Sequence, residues 1–473
     1  MERRNNNRLK GLLFLMPLLL GFIGLRIKGS APLDALYTAV TMYGLNYNET
    51  PANAAIQVAR WTAPLATAGG IAMLFAPVVR ALRAKWLYLS GDSVAVYGDR
   101  DCYEALKKDL AHARVTFGTD KLLPAHRYVL FMDEAENLRF YLENREELEK
   151  REVWMRCSSL RSQEIRGGHL HLYSVEEVGA RLFWKQADLY RLFAEKGPEL
   201  HIALVGFGAL GEQILLWGLQ NNIFSPDQTI RYDVFGPDNG FLALHPELGR
   251  LSDPVRFHGG WKEDPSLLRD ADLIVVCEQA DQLLLIEELL FTLNPPSVAV
   301  LAAHPKELTL LESAGRLCVF PWKEEALRGE NLFDGRTLTR AKAINLRYAH
   351  LYAGTEETPE NAEAEWLKLN SFTRYSNISA ADYHEIRLQM MKSWGCASEA
   401  DLSAERLELL SVLEHIRWCR FHWLNNWTYG DPVGGKAKNT AARTHSNLVP
   451  YDELSEEDKE KDRENIRTLL RIG

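Results

Sequence analysis

The sequence predicts a multidomain protein. A two-helix transmembrane hairpin with a re-entrant pore-like loop is followed by two tandem α/β domains and a mostly α-helical C-terminal domain. Three observations lead to this prediction: apolar runs near the N-terminus, alternating strand and helix patterns in the middle, and charged, tryptophan-rich helical segments at the end. The 473 residues exceed the usual length of one domain, and we place the domains at 1–85, 86–195, 196–330 and 331–473.

The composition excludes one class of partner. The formal net charge of −9 argues against nucleic acid, because phosphate backbones are bound by clustered lysine and arginine side chains. The 46% hydrophobic and 25% charged residues are typical of a folded protein. The six cysteines are scattered without a C-x-x-C pair, which favours reduced thiols and a cytosolic setting for the bulk of the chain.

Two apolar runs predict the hairpin. The first, GLLFLMPLLLGFIGL, follows a basic N-terminus, and the second, TAPLATAGGIAMLFAPVV, precedes RALRAK. Basic residues outside both runs predict a multi-pass inner-membrane protein with both termini and the soluble domains in the cytoplasm. A cleaved signal peptide is the alternative, but Arg26 and Lys28 stand where a cleavage site would lie.

The segment between the two runs predicts a short helix and a loop. Pro32 and Asp34 suit a helix start, and TMYGLNYNE follows. This arrangement resembles the pore helix and filter loop of two-span potassium channels, with Thr41, Tyr43, Gly44 and Tyr47 as the matching positions. The family's T-x-G-Y-G is absent, and an amphipathic segment on the outer surface is the alternative. Because one hairpin cannot enclose a pore, a conducting form requires a homotetramer.

A glycine motif predicts a nucleotide site in the third segment. The strand in HIALVGFGALGEQ runs into Gly206, Gly208 and Gly211 and then into a helix. This is the G-x-G-x-x-G context of a Rossmann domain, in which the glycines allow a tight turn and close approach to a pyrophosphate. Asp238, after the next strand, is placed to bind a ribose hydroxyl. We expect NAD(H) or another adenine nucleotide; glycines kept for packing alone are the alternative.

An earlier unit has the same pattern without the glycines. DSVAVYGDRDCYEALKKDL predicts a strand, a turn and a helix, but Asp99 and Asp101 stand in the turn. Their carboxylates would repel a pyrophosphate, so this domain is expected to have lost dinucleotide binding. Two such units after a pore-like hairpin resemble the RCK (TrkA-N) regulatory domains of potassium channels and transporters, which implies ligand-regulated gating.

The end of the chain carries an aromatic signature. EHIRWCRFHWLNNWTYG is followed by HSNLVPYDEL, and the pattern resembles the ryanodine receptor repeat (RyR) domain. The matching residues are Glu414, His415, Trp418, Trp427, Tyr429, Gly430, His445, Leu448, Val449, Pro450, Tyr451 and Leu454. The family is associated with adenine nucleotide or xanthine binding in at least one pair of repeats, which implies a small-molecule ligand.

Three functions follow as hypotheses. The first is a tetrameric ligand-gated cation channel, with potassium as the candidate ion, regulated by nucleotide binding to the Rossmann and RyR domains. The second is a membrane-anchored nucleotide sensor or stress and defence effector without a conducting pore. The third is a membrane-bound NAD(P)-dependent oxidoreductase. Because no G-x-S-x-G, H-E-x-x-H, P-loop or Cys-His signature occurs, we expect no enzymatic activity, no catalytic residue and no metal site.

Overall fold

The computed structural model describes residues 2–110, 114–157, 169–293, 298–302, 304–308, 311, 317–333 and 335–472. The chain divides into two compact units, of which the first comprises Met1–Asp92 with Leu123–Ala125. The second comprises Ser93–Leu122 and His126–Gly473. The candidate sites all lie in the second unit.

The first unit is a helical hairpin with a short helix between its two long ones. The helices are α1 (Glu2–Lys28), α2 (Pro32–Thr41) and α3 (Ala54–Leu89). Asn53 caps α3 by accepting a hydrogen bond from the Ile56 amide at 3.0 Å, and its Nδ2 donates to the Gly24 carbonyl at 2.8 Å. A Cβ on Gly24 would lie 2.9 Å from the Ile56 amide nitrogen, so glycine permits the close approach of α1 and α3.

Among the described residues, no helix is both long and apolar enough to cross a membrane. The predicted transmembrane hairpin with its re-entrant pore-like loop is therefore wrong, as are the channel function and the multi-pass inner-membrane localisation. In α1 the uncharged run lies between Lys10 and Arg26 and extends about 22 Å, short of a hydrocarbon core of roughly 30 Å. The α3 segment between Arg60 and Arg80 is rich in weakly apolar alanine, glycine and threonine.

The residues proposed for the pore loop belong to the short helix and the turn after it. Thr41 ends α2, and Tyr43 and Gly44 lie in a 3₁₀ turn, Met42–Gly44. The Tyr43 carbonyl accepts a hydrogen bond from the Thr67 hydroxyl at 3.0 Å. Tyr47 is half-buried in the irregular segment that follows. The turn is thus packed on α3, and the homotetramer inferred from a pore stays an untested prediction.

The second unit begins with a sheet of five parallel strands. The strands are β1 (Val94–Tyr97), β2 (Val115–Gly118), β3 (Arg127–Leu130), β4 (Glu152–Arg156) and β5 (Leu170–Tyr173), and the helices are α4 (Arg100–Asp109), α5 (Glu134–Glu143), α6 (Arg145–Leu148), α7 (Val175–Gln186) and α8 (Leu189–Lys196). The order β2-β1-β3-β4-β5 is that of the flavodoxin-like doubly wound fold. The first domain is thus a doubly wound α/β unit whose strand order differs from the classic Rossmann order.

The second sheet has six parallel strands. They are β6 (Glu199–Val205), β7 (Thr229–Phe235), β8 (Val255–His258), β9 (Leu273–Val276), β10 (Val298–Leu301) and β11 (Leu317–Phe320), with helices α9 (Ala209–Asn221), α10 (Phe241–Leu244), α11 (Pro265–Arg269), α12 (Gln282–Leu293), α13 (Trp322–Ala326) and α14 (Gly329–Leu332). Read from β8 to β11, the order is the 3-2-1-4-5-6 order of the Rossmann fold. The glycine motif therefore lies on a Rossmann sheet, as predicted.

The rest of the second unit is mostly helical. Its elements are α15 (Arg336–Ala353), α16 (Pro359–Lys368), α17 (Ser371–Ser393), α18 (Ala404–Leu424), the short strands β12 (Thr428–Tyr429), β13 (Lys438–Asn439) and β14 (Thr444–His445), and α19 (Glu456–Ile472). One hydrophobic core runs through both sheets and these helices, and includes Val96, Ile202, Tyr383 and Leu413. The two sheets and these helices are therefore packed against one another in one unit.

Candidate functional site

Two of the three motif glycines are required by the fold. Gly206 has a φ of +92°, and a Cβ there would lie 2.6 Å from the Glu278 amide nitrogen. A Cβ on Gly211 would lie 2.7 Å from the Gly206 carbonyl oxygen. Both distances are below any real Cβ contact, so only glycine lets β6 turn into α9 while β9 lies alongside.

Gly208, the middle glycine, has no such reason to be glycine. It is the N-cap residue of α9, with φ −102° and ψ −162°, a backbone conformation open to any residue. No heavy atom of the described residues lies within 4 Å of the position its Cβ would take. Nor does any described side chain cap α9, so the first-turn amides have an open approach above Gly208.

Asp238 lies in the loop after β7, on the same edge of the sheet. The neighbouring Asn239 fastens this loop to the glycine turn, since its Nδ2 donates to the Phe207 carbonyl at 2.7 Å. Within the described part of the chain, no hydrogen bond or ion pair engages the half-buried Asp238 carboxylate. Asn239 was not predicted from the sequence, although its place beside Asp238 in G-P-D-N-G is a turn signal.

The loop after β9 completes this edge of the sheet. Glu278 donates its amide to the Val205 carbonyl at 3.0 Å, and its carboxylate accepts the Gln279 and Ala280 amides. The Gln279 side chain receives a hydrogen bond from Trp322 Nε1 at 3.1 Å and donates to the Leu301 carbonyl at 3.1 Å. These hydrogen bonds link the carboxyl ends of β6, β9, β10 and β11. Ligands of open α/β sheets bind at this edge, outside the carboxyl ends of the strands.

Three titratable side chains lie where the first sheet meets this edge. Lys323, next to Trp322, holds the Asp101 carboxylate at 2.7 Å and lies 4.0 Å from Asp99. The hydrogen bond and charge of Lys323, with a smaller contribution from His304, lower the pKa of Asp101. Asp99 accepts hydrogen bonds from the Asp101 and Cys102 amides at 2.7 and 3.1 Å. Its own carboxylate thus occupies the start of α4, where a phosphate would otherwise bind.

A buried carboxylate links the first three strands of the Rossmann sheet. Asp233 on β7 is 1% exposed and lies 2.7 Å from His201 Nε2, 2.8 Å from His258 Nε2 and 3.0 Å from Arg231 Nε. Burial by itself raises the pKa of Asp233, but the hydrogen bonds from both histidines and the charge of Arg231 lower it to about 2. No group among the described residues has metal-binding geometry, and we assign this cluster to strand alignment.

The substitution Asp233→Asn is expected to destabilise the protein at neutral pH. A pKa lowered from 3.8 to about 2 corresponds to about 2 kcal/mol of stability. That contribution is present above the unfolded pKa and is lost as the pH falls through the folded pKa. In urea unfolding, the variant should therefore have a lower free energy of unfolding than the parent at pH 7, and nearly the same value near pH 2. The exposed Asp270→Asn is the control; an equal loss in that variant would contradict the assignment.

Glu414 of the aromatic signature forms a buried ion triad. It is 1% exposed and accepts hydrogen bonds from Arg417 Nε at 3.0 Å and Nη2 at 2.8 Å, and from Arg387 Nη2. Arg417 also donates to the Ser379 hydroxyl at 2.9 Å. The triad fastens α18 to α17. Arg387 lies outside the signature, and no sequence signal pointed to it.

His415 ties α18 to the end of the chain. Its Nε2 lies 2.8 Å from the Val449 carbonyl, and its Nδ1 lies 3.5 Å from the Asp462 carboxylate. Burial lowers the pKa of His415, but hydrogen bonds with Asp462 and Cys419 raise it to about 10. The charged imidazole therefore joins α18, the V-P-Y segment and α19.

The tryptophans are packed against other rings. Trp427 is fully buried and stacks on Phe372 with ring centroids 4.9 Å apart. The Lys438 ammonium lies 5.2 Å from the centroids of both rings, and burial lowers its pKa. Trp418 meets His445 edge-on at 4.9 Å. These contacts favour a structural role for the tryptophans.

The remaining signature residues form turns. A Cβ on Gly430 would lie 2.7 Å from the Thr444 Cβ, so glycine lets β12 approach β14. Tyr429 is half-exposed, with its hydroxyl donating to Asp431 at 2.9 Å. Pro450 precedes the 3₁₀ turn Tyr451–Glu453. Leu448 and Leu454 are buried below these turns.

Residues 400–472 match the family model of the RyR domain. The resemblance inferred from the signature is confirmed for this part of the chain, which includes α18, β12–β14 and α19. The Glu414 triad and the Trp427 stack join this segment to Arg387 and Phe372 of α17, whereas the His415 contacts lie within it. No curated protein matches the chain in sequence.

Solved structures similar to this chain include three metabolic proteins. A shikimate dehydrogenase in complex with NADP+ is 13% identical to this chain, with a TM-score of 0.28; the match covers 59% of this chain and 95% of the dehydrogenase chain. The D-lactate dehydrogenase of Escherichia coli has 14% identity, coverages of 56% and 98%, and a TM-score of 0.23. One component of the dipicolinate synthase of Bacillus halodurans has 13% identity, coverages of 50% and 94%, and a TM-score of 0.24.

Because two of these three similar structures are dehydrogenases, the prediction that the protein is not an enzyme is corrected and withdrawn.

Proposed function

We propose that the Rossmann domain binds a dinucleotide of the NAD(P) class and that the protein uses it as an oxidoreductase. The observation that carries the binding proposal is Gly208. Its neighbours Gly206 and Gly211 must be glycine for the fold, whereas Gly208 faces open space. A glycine that packing does not require is explained by a ligand that approaches the backbone closely.

The position of the loop supports the same proposal. It connects β6 to α9, and β6 lies between β7 and β9, where the chain reverses its direction across the sheet. Ligands of open α/β sheets bind at this switch point. The free amides at the start of α9 are suited to a pyrophosphate, and Asp238, which follows β7, is suited to a ribose diol.

The side chains around the crevice support redox chemistry. A nicotinamide dinucleotide accepts or donates a hydride, and such a reaction also requires a proton donor or acceptor. Trp322 donates its indole N–H to the Gln279 side chain at 3.1 Å, and the next residue, Lys323, pairs with Asp101 at 2.7 Å. His304 lies close enough to Asp101 to contribute to its lowered pKa. Gln279 directly follows Glu278, the residue packed against Gly206. This group is our candidate for proton transfer.

The substitution Gly208→Glu tests the site. Its carboxylate would stand over the amides of α9, so we expect the affinity for NADH or NADPH to fall at least tenfold, with any NAD(P)H-linked turnover falling in parallel. The fold should persist, because the position is open. Calorimetric titration with NADH and with NADPH measures the affinity, and thermal unfolding checks the fold.

The matched control is Gly249→Glu. Gly249 is another exposed glycine of the Rossmann domain, also with open space around its Cβ position, and the variant should retain the parent's affinity. Unchanged affinity in Gly208→Glu would refute the site. Binding without turnover across a panel of carbonyl and alcohol substrates would refute the oxidoreductase proposal and leave the binding proposal standing.

A further inference from the structure

A cavity of about 670 Å³ lies among β5, α7 and the first turns of α15 and α17. Its volume is within the range of small-molecule sites, about 300–1,000 Å³. No residue of the glycine loop lines it. It is formed by segments from Trp154 to Glu385, all of which precede the matched RyR segment.

Most charges that line the cavity are already paired. Arg181 and Lys185 on α7 share the buried Asp382, with Lys185 Nζ 2.5 Å from its Oδ1. Glu385 is paired with Arg340 on α15. Glu325 and Glu330 are both paired with one guanidinium outside the cavity, that of Arg328. These groups neutralise one another and leave little net charge.

Two arginines that line the cavity are less fully paired than these groups: one has no ion pair among the described residues, and the other shares a carboxylate that a second arginine holds more closely. Arg374 donates to the carbonyls of Trp366 and Leu367 at 3.2 and 3.3 Å. In the part of the chain that the structure describes, it forms no ion pair, and burial lowers its pKa. Arg336, at the mouth, is 77% exposed, and its nearest carboxylate is Glu385 at 3.9 Å. Both guanidinium groups can therefore bind an anion by donating hydrogen bonds to it.

The remaining carboxylate of the cavity offers little opposition to an anion. Glu177 lies 3.8 Å from Arg181 and is hydrogen-bonded to the Tyr375 hydroxyl. Burial raises the pKa of Glu177 to about 7, so near neutral pH much of it is uncharged. The lining is thus positive overall once the ion pairs are subtracted.

The helix ends reinforce this positive potential. The amino ends of three long helices border the cavity, through Ser174 at α7, Gly335 and Thr337 at α15, and Ser371 at α17. Each helix presents the positive end of its dipole there. The start of α15 is not capped by any described side chain. Indole rings of Trp154 and Trp366 form apolar parts of the wall.

We propose that this cavity binds a small phosphorylated molecule, with its phosphate between Arg374 and Arg336 and its remaining part against Trp154 and Trp366. The site is separate from the dinucleotide site and does not depend on it. Because its walls come from the first sheet and from α15 and α17, an occupied cavity would link the first α/β domain to the helices that support the RyR domain.

Calorimetric titration of the full chain with inorganic pyrophosphate and with adenosine monophosphate tests the proposal. We expect at least one probe to bind, with an affinity that falls at least tenfold in Arg374→Gln and in Arg336→Gln and decreases with added salt. Tighter binding of adenosine monophosphate would indicate that the aromatic walls contribute, whereas tighter binding of pyrophosphate would indicate a site for phosphate alone. The exposed Arg336 provides the test if Arg374→Gln fails to fold.

The matched control is Arg406→Gln. Arg406 also donates to a backbone carbonyl, that of Trp394 at 3.4 Å, and lies 5.4 Å from the ring centroid of the same residue, but it does not line the cavity. This variant should bind the probes as the parent does. Failure of both probes to bind the parent, or equal affinity in the parent and the two cavity variants, would overturn the proposal.

Discussion

Replacing Glu414 by glutamine is expected to reduce the free energy of unfolding by about 3–5 kcal/mol, the usual effect of removing one partner from a buried ion pair. Arg387 and Arg417 are each 1% exposed or less and converge on this one carboxylate. Without it, two guanidinium groups remain buried and lack their countercharge. The loss should unfold the RyR domain and loosen α17 from α18.

Urea unfolding at pH 7, followed by tryptophan fluorescence, measures this loss. The matched control is Glu408→Gln on the same helix, because Glu408 pairs with Arg463 but is 42% exposed; its removal should change stability by about 1 kcal/mol or less. Burial alone raises the pKa of Glu414, but Arg417 and Arg387 lower it on balance. Its contribution is therefore present above the unfolded pKa and is lost as the pH falls through the folded pKa. Equal losses in the two variants would contradict the triad.

Replacing Gly206 by alanine is expected to destabilise the Rossmann domain by several kcal/mol. A non-glycine residue at a φ of +92° costs about 1–3 kcal/mol in backbone strain. The new methyl group would also lie 2.6 Å from the Glu278 amide nitrogen, and forcing β9 away adds a packing cost of about 1–3 kcal/mol. Nucleotide binding should fall with the fold.

The comparison variant is Gly208→Ala in the same loop. Its Cβ meets nothing within 4 Å among the described residues, so its unfolding midpoint should stay within experimental error of the parent while dinucleotide affinity falls. Hydrogen exchange at the β6 amides would report local loosening in Gly206→Ala. If both variants were equally stable, the distinction between structural glycines and a ligand-facing glycine would be wrong.

Much of the second unit could be predicted because its signals are local. A buried strand that leads into Gly206 and then into a helix predicts a strand, a tight turn and a helix in succession, and this signal spans only about a dozen residues. The strands around Ile274, Val300 and Val319 lie in short apolar runs of the sequence. The resemblance of residues 400–472 to the RyR domain could also be predicted, since the signature residues are close in sequence and their spacing reflects one helix and two turns.

The hairpin and the first sheet illustrate what local patterns miss. Apolar runs beside basic residues predicted membrane spans, but the first uncharged run is only about 22 Å long as a helix, which is short of a hydrocarbon core of roughly 30 Å. The pattern around Asp99 predicted an α/β unit, but strand order depends on pairing between distant segments. Only the sheet distinguished the flavodoxin-like order of the first domain from the Rossmann order of the second.

The sequence by itself determined the Rossmann unit, its glycine turn and the RyR domain, because backbone preferences and residue spacing act over short distances along the chain. Tertiary structure decided which glycine is free for a ligand, since that depends on how near Glu278 comes to Gly206. It also decided that Arg387 neutralises Glu414 and that Arg374 lines a cavity with Trp154. Those contacts join residues far apart in sequence, and only packing of the whole unit brings them together.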